Sequence, residues 1–248
     1  MKSKKYTTGW LPDIPDQRDF LYQGIQPRKL RLPSKVDLRA LCSSVENQGP
    51  LGSCTANALA GNIEFLENKS GADPADVSRL FIYYNERALE HTPSQDSGAM
   101  LRDGIKTLHK QGVCPESDWP YDISQFAKKP SAPCYKEAKS RRIESYHRIT
   151  SLSEMLVCLT EGFPFVFGFS VYESFESERT AKIGVAQMPK KDERMIGGHA
   201  VLAVGFDQPS RRFLARNSWG PGWGMNGYFT IPFHYLETLA GDFWTIRK

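Results

Sequence analysis

One stretch constrains this chain more than any other: residues 47–67, NQGPLGSCTANALAGNIEFLE. It opens on a Gly/Pro turn and continues into an apolar run of Ala56, Ala58, Leu59, Ala60, Ile63, Phe65 and Leu66. Ala and Leu favour helix, and the run is long enough for several turns. Ser53 suits the N-cap, which puts Cys54 at the first helical position. Unpaired backbone N–H groups and the positive end of the helix dipole meet there, and both favour a thiolate over a thiol. That is the setting of an activated nucleophile. The alternative is a small core thiol, since free cysteine is among the most buried residue types.

The length, 248 residues, suits one large domain or two lobes sharing a cleft. A formal charge of +4 is only mildly basic, and apart from residues 139–142 and the pair Lys190-Lys191 the Lys and Arg residues are dispersed. No nucleic-acid stripe is expected from that distribution. No run approaches the ~18 apolar residues of a membrane-spanning helix, so no membrane association is expected. The opening MKSKK is followed by YTTGW and not by an apolar stretch, so no secretory signal is visible. Five cysteines leave at least one thiol unpaired within the chain; Cys114 and Cys134 could close a loop, with Cys42 and Cys158 remaining. There is no CxxC pair and no Cys/His cluster at zinc spacing, so neither a metal nor a cofactor is expected.

Residues 1–31 read as an extension. Pro12, Pro15 and Pro27 punctuate it, and Trp10, Phe20 and Tyr22 lie near turn signals. It is either a tail packed on the surface or a short inhibitory segment lying in a cleft. Helices are expected from Cys54 to about residue 68, from Asp76 or Ser78 onward, and over 100–111 with Gly112 as the stop. Residues 96–99 read as a turn, and Pro130 to Pro133 as part of a long loop. Beyond that the character changes. Strands are expected over 142–150, 164–171, 199–206, 212–217 and 227–232, with one short helix over 152–159. Helices first and strands later predict an α+β chain with two lobes.

Three further features accompany Cys54. GGHAV at 197–201 sets His199 before an apolar strand, after two glycines that allow close backbone approach. RNSWGPGWG at 216–224 sets Asn217 at a strand end beside Trp219 and Trp223, and Gln48 lies six residues before Cys54. Taken singly, each has a structural explanation: a core histidine, a turn asparagine, core tryptophans, a surface glutamine.

Taken together they resemble the papain-like cysteine peptidases. The matching blocks are QGPLGSC at 48–54, GGHAVLAVGF at 197–206 and NSWGPGWGMNGYFTI at 217–231, in the family's order and spacing. The likeness spans about residues 32–248, and the NSWGxGWGxxGY block is highly specific. The resemblance implies a papain-like two-lobe fold, a helical lobe over about 32–140 and a β-barrel-like lobe over about 141–248, with the active-site cleft between them. It also implies roles. Cys54 would be the nucleophile and His199 its proton partner. Asn217 would orient His199, Trp219 would shield their hydrogen bond, and Gln48 would donate to the oxyanion. Gly98 and Ala99 would line the substrate side of the cleft. The departures are Thr55 where the family has an aromatic, Leu51 where it commonly has a disulfide cysteine, and Ala99 where it has a second glycine. These resemble the bacterial branch more than the lysosomal or plant one, and the expectation is a soluble protein, secreted or cytoplasmic in a bacterium.

The expected activity is a monomeric thiol endopeptidase acting on peptide or protein substrates, latent while residues 1–31 occupy the cleft as a short pro-segment. An acyl transferase on the same fold is one competing reading. A non-catalytic binding module is another, although a binding surface needs none of the geometry of Gln48, Cys54, His199 and Asn217.

Overall fold

The computed structural model describes residues 7–23, 31–72 and 76–248. The outer parts of the extension, 1–6 and 24–30, lie outside them. In chain order the strands are β1 (Trp10–Leu11), β2 (Lys35–Asp37), β3 (Ala99–Met100), β4 (Ser145–Arg148), β5 (Phe165–Tyr172), β6 (Met195–Asp207), β7 (Arg212–Arg216), β8 (Tyr228–Pro232) and β9 (Ala240–Arg247). The helices are α1 (Cys54–Ser70), α2 (Arg79–Leu89), α3 (Leu101–Lys110), α4 (Ala132–Ala138), α5 (Leu152–Thr160), α6 (Glu178–Ile183) and α7 (Phe233–Leu239).

Helix α1 is the axis of the helical lobe. Every residue from Cys54 to Glu67 is buried, because α1 packs on α2, α3 and β6 at once. Its small residues allow that approach: a Cβ built on Gly61 would meet the Arg216 guanidinium at 2.9 Å. Leu59, Ile63 and Phe65 are fully buried, each worth roughly 1.5–3 kcal/mol relative to exposure. Gly71 ends the helix in the left-handed region at φ 73°. Ser78 caps α2 by accepting the Phe81 N–H at 3.0 Å.

The β lobe is one antiparallel sheet in the order β4-β9-β5-β6-β7-β8, with β2 paired to β6. A second core fills it, built on Phe165, Phe167, Phe169, Phe213 and Phe229. The two lobes are stitched together. Trp244 and Ile246 of β9 belong to the helical lobe's core, whereas β2 crosses to the sheet. Helices and sheet thus form a two-lobed α+β architecture.

Several local expectations need correction. Pro133 does not prolong a loop. It sits in the first turn of α4, where no N–H is required, so the segment is helical. Ala99 belongs not to a turn but to β3. The C-terminal α7 and β9, and the short α6, carry too mixed a pattern to be read locally. Among the described residues all five cysteines are free thiols, Cys114 and Cys134 included. No described helix is long and apolar enough to cross a membrane.

Candidate active site

Cys54 opens α1 as expected, with Ser53 at the N-cap position, but the Ser53 side chain makes no capping bond. Its hydroxyl is held by Tyr121 Oη and by Asn57 Nδ2, the latter at 3.1 Å. Across the cleft, antiparallel pairing of β5 with β6 sets His199 opposite Phe169. Strand β7 ends at Arg216, so Asn217 begins the loop beside β6.

His199 Nε2 lies 2.8 Å from Asn217 Oδ1. That same oxygen accepts the Ser218 backbone N–H at 2.9 Å. A backbone N–H can only donate, so the atom facing it is the amide oxygen, and His199 Nε2 carries the hydrogen. Nδ1 is then left with its lone pair. Trp219 stacks over the ring, centroids 4.8 Å apart and planes 25° from parallel. His199, Asn217 and Trp219 are all buried. Trp219 in turn packs against Trp223 and Phe175, so the tryptophans anchor the core and cover the histidine together.

Gln48 is fully buried on the other side. Its Oε1 accepts the Ser218 hydroxyl at 2.6 Å, and its Nε2 donates to Leu51 O at 2.9 Å and to Thr7 O at 3.2 Å. Its carbonyl accepts from Tyr121 Oη at 3.0 Å. Ser218 thus fixes its side-chain amide and Tyr121 its backbone carbonyl, and neither was singled out from the sequence, because one partner lies far away in the chain and the other in a loop.

The N-terminal segment runs through this cleft. Strand β1 pairs in parallel with β3, with Trp10 opposite Ala99, and Ala99 N donates to Gly9 O at 2.8 Å. Gly9 fits between two backbones: its Cβ, if built, would lie 1.9 Å from Gly52 O, and one on Gly98 would lie 2.1 Å from Gly9 O. The Trp10 indole covers Gly168 and Gly198 and donates Nε1–H to Asp242 at 3.1 Å. The backbone N–H groups of Ala200 and Gly9 act on the Cys54 thiol and favour its ionised form.

Further along, Asp13 accepts from Arg102 N at 3.1 Å and Trp244 Nε1 at 2.8 Å, and its own N–H bonds Asp242 at 2.7 Å. Asp19 pairs with Arg102 at 2.7 Å and Arg148 at 3.2 Å. The segment is therefore no loose tail: Asp13 and Tyr22 are buried.

Burial reverses the electrostatics expected of Cys54. Burial pushes its thiol up to about 12, against the pull of the Ala200 and Gly9 N–H groups. Burial likewise lowers His199 to about 4, opposed by its bond to Asn217. Under the segment the pair is a neutral thiol and a neutral imidazole.

Residues 32–235 match the papain family cysteine protease model. The chain belongs to the papain family of cysteine proteases. Among its relatives is an uncharacterized peptidase C1-like protein of Acanthamoeba polyphaga mimivirus, 43% identical over 97% of this chain and 86% of that protein. The crystal structure of xylellain, a cysteine protease from Xylella fastidiosa, superposes with a TM-score of 0.92 at 44% identity, covering 100% of this chain and 98% of that one. Digestive procathepsin L 3 of Tenebrio molitor shares the fold at 17% identity, with a TM-score of 0.72 over 98% of this chain and 76% of the other. As a papain-family thiol protease, the chain acts on peptide substrates.

Proposed function

We propose that this protein is a cysteine endopeptidase held latent by its own N-terminal segment. Residues 1–31 serve as the pro-segment and 32–248 as the peptidase domain, with lobes over about 32–140 and 141–248. The observation that carries the reading is a peptide already seated in the cleft. The Thr7 carbonyl sits on Gln48 Nε2 while Gly9 lies against Cys54 and β3.

With the segment gone, His199 Nδ1 takes the Cys54 proton, giving a thiolate and an imidazolium. The thiolate attacks the substrate carbonyl carbon, and the carbonyl oxygen becomes an oxyanion. Gln48 Nε2–H and the Cys54 N–H stabilise that charge. On collapse the C–N bond breaks, and the amine leaves with the proton from His199. Water, giving a proton back to His199, then cleaves the Cys54 thioester to the acid, and the thiol is restored. Asn217 keeps the imidazole in the productive tautomer, and Trp219 excludes water from that bond. Ala99 pairs with the substrate backbone, as its N–H now bonds Gly9 O, and Gly98 leaves room for that backbone.

Hydrolysis of a fluorogenic peptide library after mild proteolysis, by wild type and Cys54→Ala, tests the reading. Activity is expected only with Cys54 present; equal rates in the two proteins would contradict it.

A further inference from the structure

Behind the His199–Asn217 pair lies a small cavity of about 10 Å³, lined by Asn57, Arg216, Asn217 and Ser218 among apolar neighbours. Asn57 projects from the first turn of α1, and Asn217 from the end of β7. Both are more than nine-tenths buried, and among the described residues each has one polar atom without a partner: Asn57 Oδ1 and Asn217 Nδ2. Their amide orientations are not interchangeable. Asn57 Nδ2 donates to Ser53 O at 2.9 Å and to Ser53 Oγ at 3.1 Å, which leaves its oxygen unmatched. Asn217 Oδ1 is taken by His199 and by the Ser218 N–H, which leaves its nitrogen unmatched. The other polar groups of the cavity are engaged elsewhere. Arg216 bonds Ser43 Oγ at 2.8 Å, and Ser218 Oγ bonds Gln48.

We infer that this cavity holds one structural water, which accepts from Asn217 Nδ2 and donates to Asn57 Oδ1, making Asn57 a positioning residue for the catalytic asparagine. The space suffices for one water, and an unpartnered acceptor and an unpartnered donor on two of the lining residues supply the two polar partners such a water requires. Leaving both groups unmatched would cost the desolvation penalty of each. The consequence is chemical. If the Asn217 amide turned over, its N–H would face His199 Nε2 and demand a lone pair there. The ring hydrogen would then move to Nδ1, and His199 could no longer accept a proton at that nitrogen. The Ser218 N–H opposes that turn, because it would then meet the amide NH₂ in place of Oδ1, and the water gives Nδ2 a partner in the orientation that Ser218 selects. Asn57 thereby favours the working tautomer of His199 without touching it.

The catalytic consequence rests on the role proposed for Asn217; the water site itself does not. A crystal structure of the full chain at high resolution is the first arm. It is expected to show one ordered water within hydrogen-bond distance of both Asn57 Oδ1 and Asn217 Nδ2. A dry cavity, or a water bonded to neither atom, would overturn the inference whatever the enzyme does.

The second arm is kinetic, on enzyme released by mild proteolysis. Asn57→Leu keeps the volume and removes the acceptor, and is expected to lower kcat about tenfold with KM little changed. The basic limb of its kcat/KM profile should move to lower pH, since the Asn217 bond is what raises His199. Asn57→Ser keeps a hydroxyl and should recover most of kcat. A merely structural asparagine would lower Tm in both variants and leave the pH profile in place, and that pattern would also overturn the inference. Loss of all hydrolysis in wild type would instead count against the peptidase reading, leaving the crystallographic arm to decide the water.

Discussion

At His199 a single amide decides which ring nitrogen carries the hydrogen, and two predictions follow from that level of detail. Asn217→Ala removes the acceptor from Nε2–H, a hydrogen bond to a group that becomes charged in the reaction. Such bonds are worth about 1.5–3 kcal/mol, so kcat/KM of released enzyme should fall roughly 10- to 150-fold while Cys54 still alkylates. Gln48→Ala removes an oxyanion donor, and about 2.7–4 kcal/mol of transition-state stabilisation should go with it, as a kcat loss on the order of 10²–10³. The two can be separated by the pH profile: Asn217→Ala should move the basic limb to lower pH, and Gln48→Ala should not. These four residues were legible because each lies in a short block whose local spacing carries the signal. Ser218 and Asn57 were not. A serine inside a Gly-rich loop and an asparagine inside an apolar helix announce nothing until the fold brings them against Gln48 and Asn217.

Among the elements, the fit of β1 into the cleft depends on glycine surfaces. Gly9→Val would drive side-chain atoms into the Gly52 carbonyl, since even its Cβ would lie 1.9 Å away. The variant is expected to hydrolyse peptide without prior proteolysis, at least tenfold faster than wild type. Gly222→Ala, where a Cβ meets nothing within 4 Å, should keep the latency of wild type.

The acidic clamp adds a pH dependence. Asp13 is raised to about 6, first by burial and then by Asp242, while Arg102 and Trp244 oppose the rise. Arg148 also pairs with it at 3.7 Å, and Glu90 faces it. Once the segment leaves, Asp13 returns toward its ordinary value of 3.8. The docked state therefore binds the proton more tightly. Docking should strengthen as pH falls from 6 toward 3.8 and weaken again as pH rises through 6, by up to ~10²-fold for a two-unit shift. The neutral thiol–imidazole pair and the thiolate–imidazolium pair hold the same number of protons, so they do not cancel this trend. Residual activity of the full chain across pH 4–7 measures it, and Asp13→Asn should flatten it. None of this could be read locally. The sequence shows Pro, Trp and Asp in an extension, but what they meet comes from α3, β4 and β9. The same limit hid α4, where Pro133 reads as loop until its place in a first turn is known.

For the whole molecule, the two-lobed architecture was legible because helix periodicity gives way to alternating strands near the middle of the chain. The stitching of the lobes was not, because β2 and β9 join the opposite halves through long-range pairing and packing. The consequence is a cleft between two joined lobes, with Gly9 to Leu11 lying along one wall. With the thiol raised to about 12 by burial, Cys54 rests as a neutral thiol at pH 7 in the covered state. The most direct measurement is therefore the rate at which a thiol-directed epoxide labels Cys54 in the full chain, before and after mild proteolysis of the N-terminal segment, with peptide hydrolysis followed in parallel. Labelling that is slow before the cut and at least 100-fold faster after it, with hydrolysis rising in step, is the result predicted for a latent cysteine peptidase. Equal labelling and equal hydrolysis in the two states would contradict it.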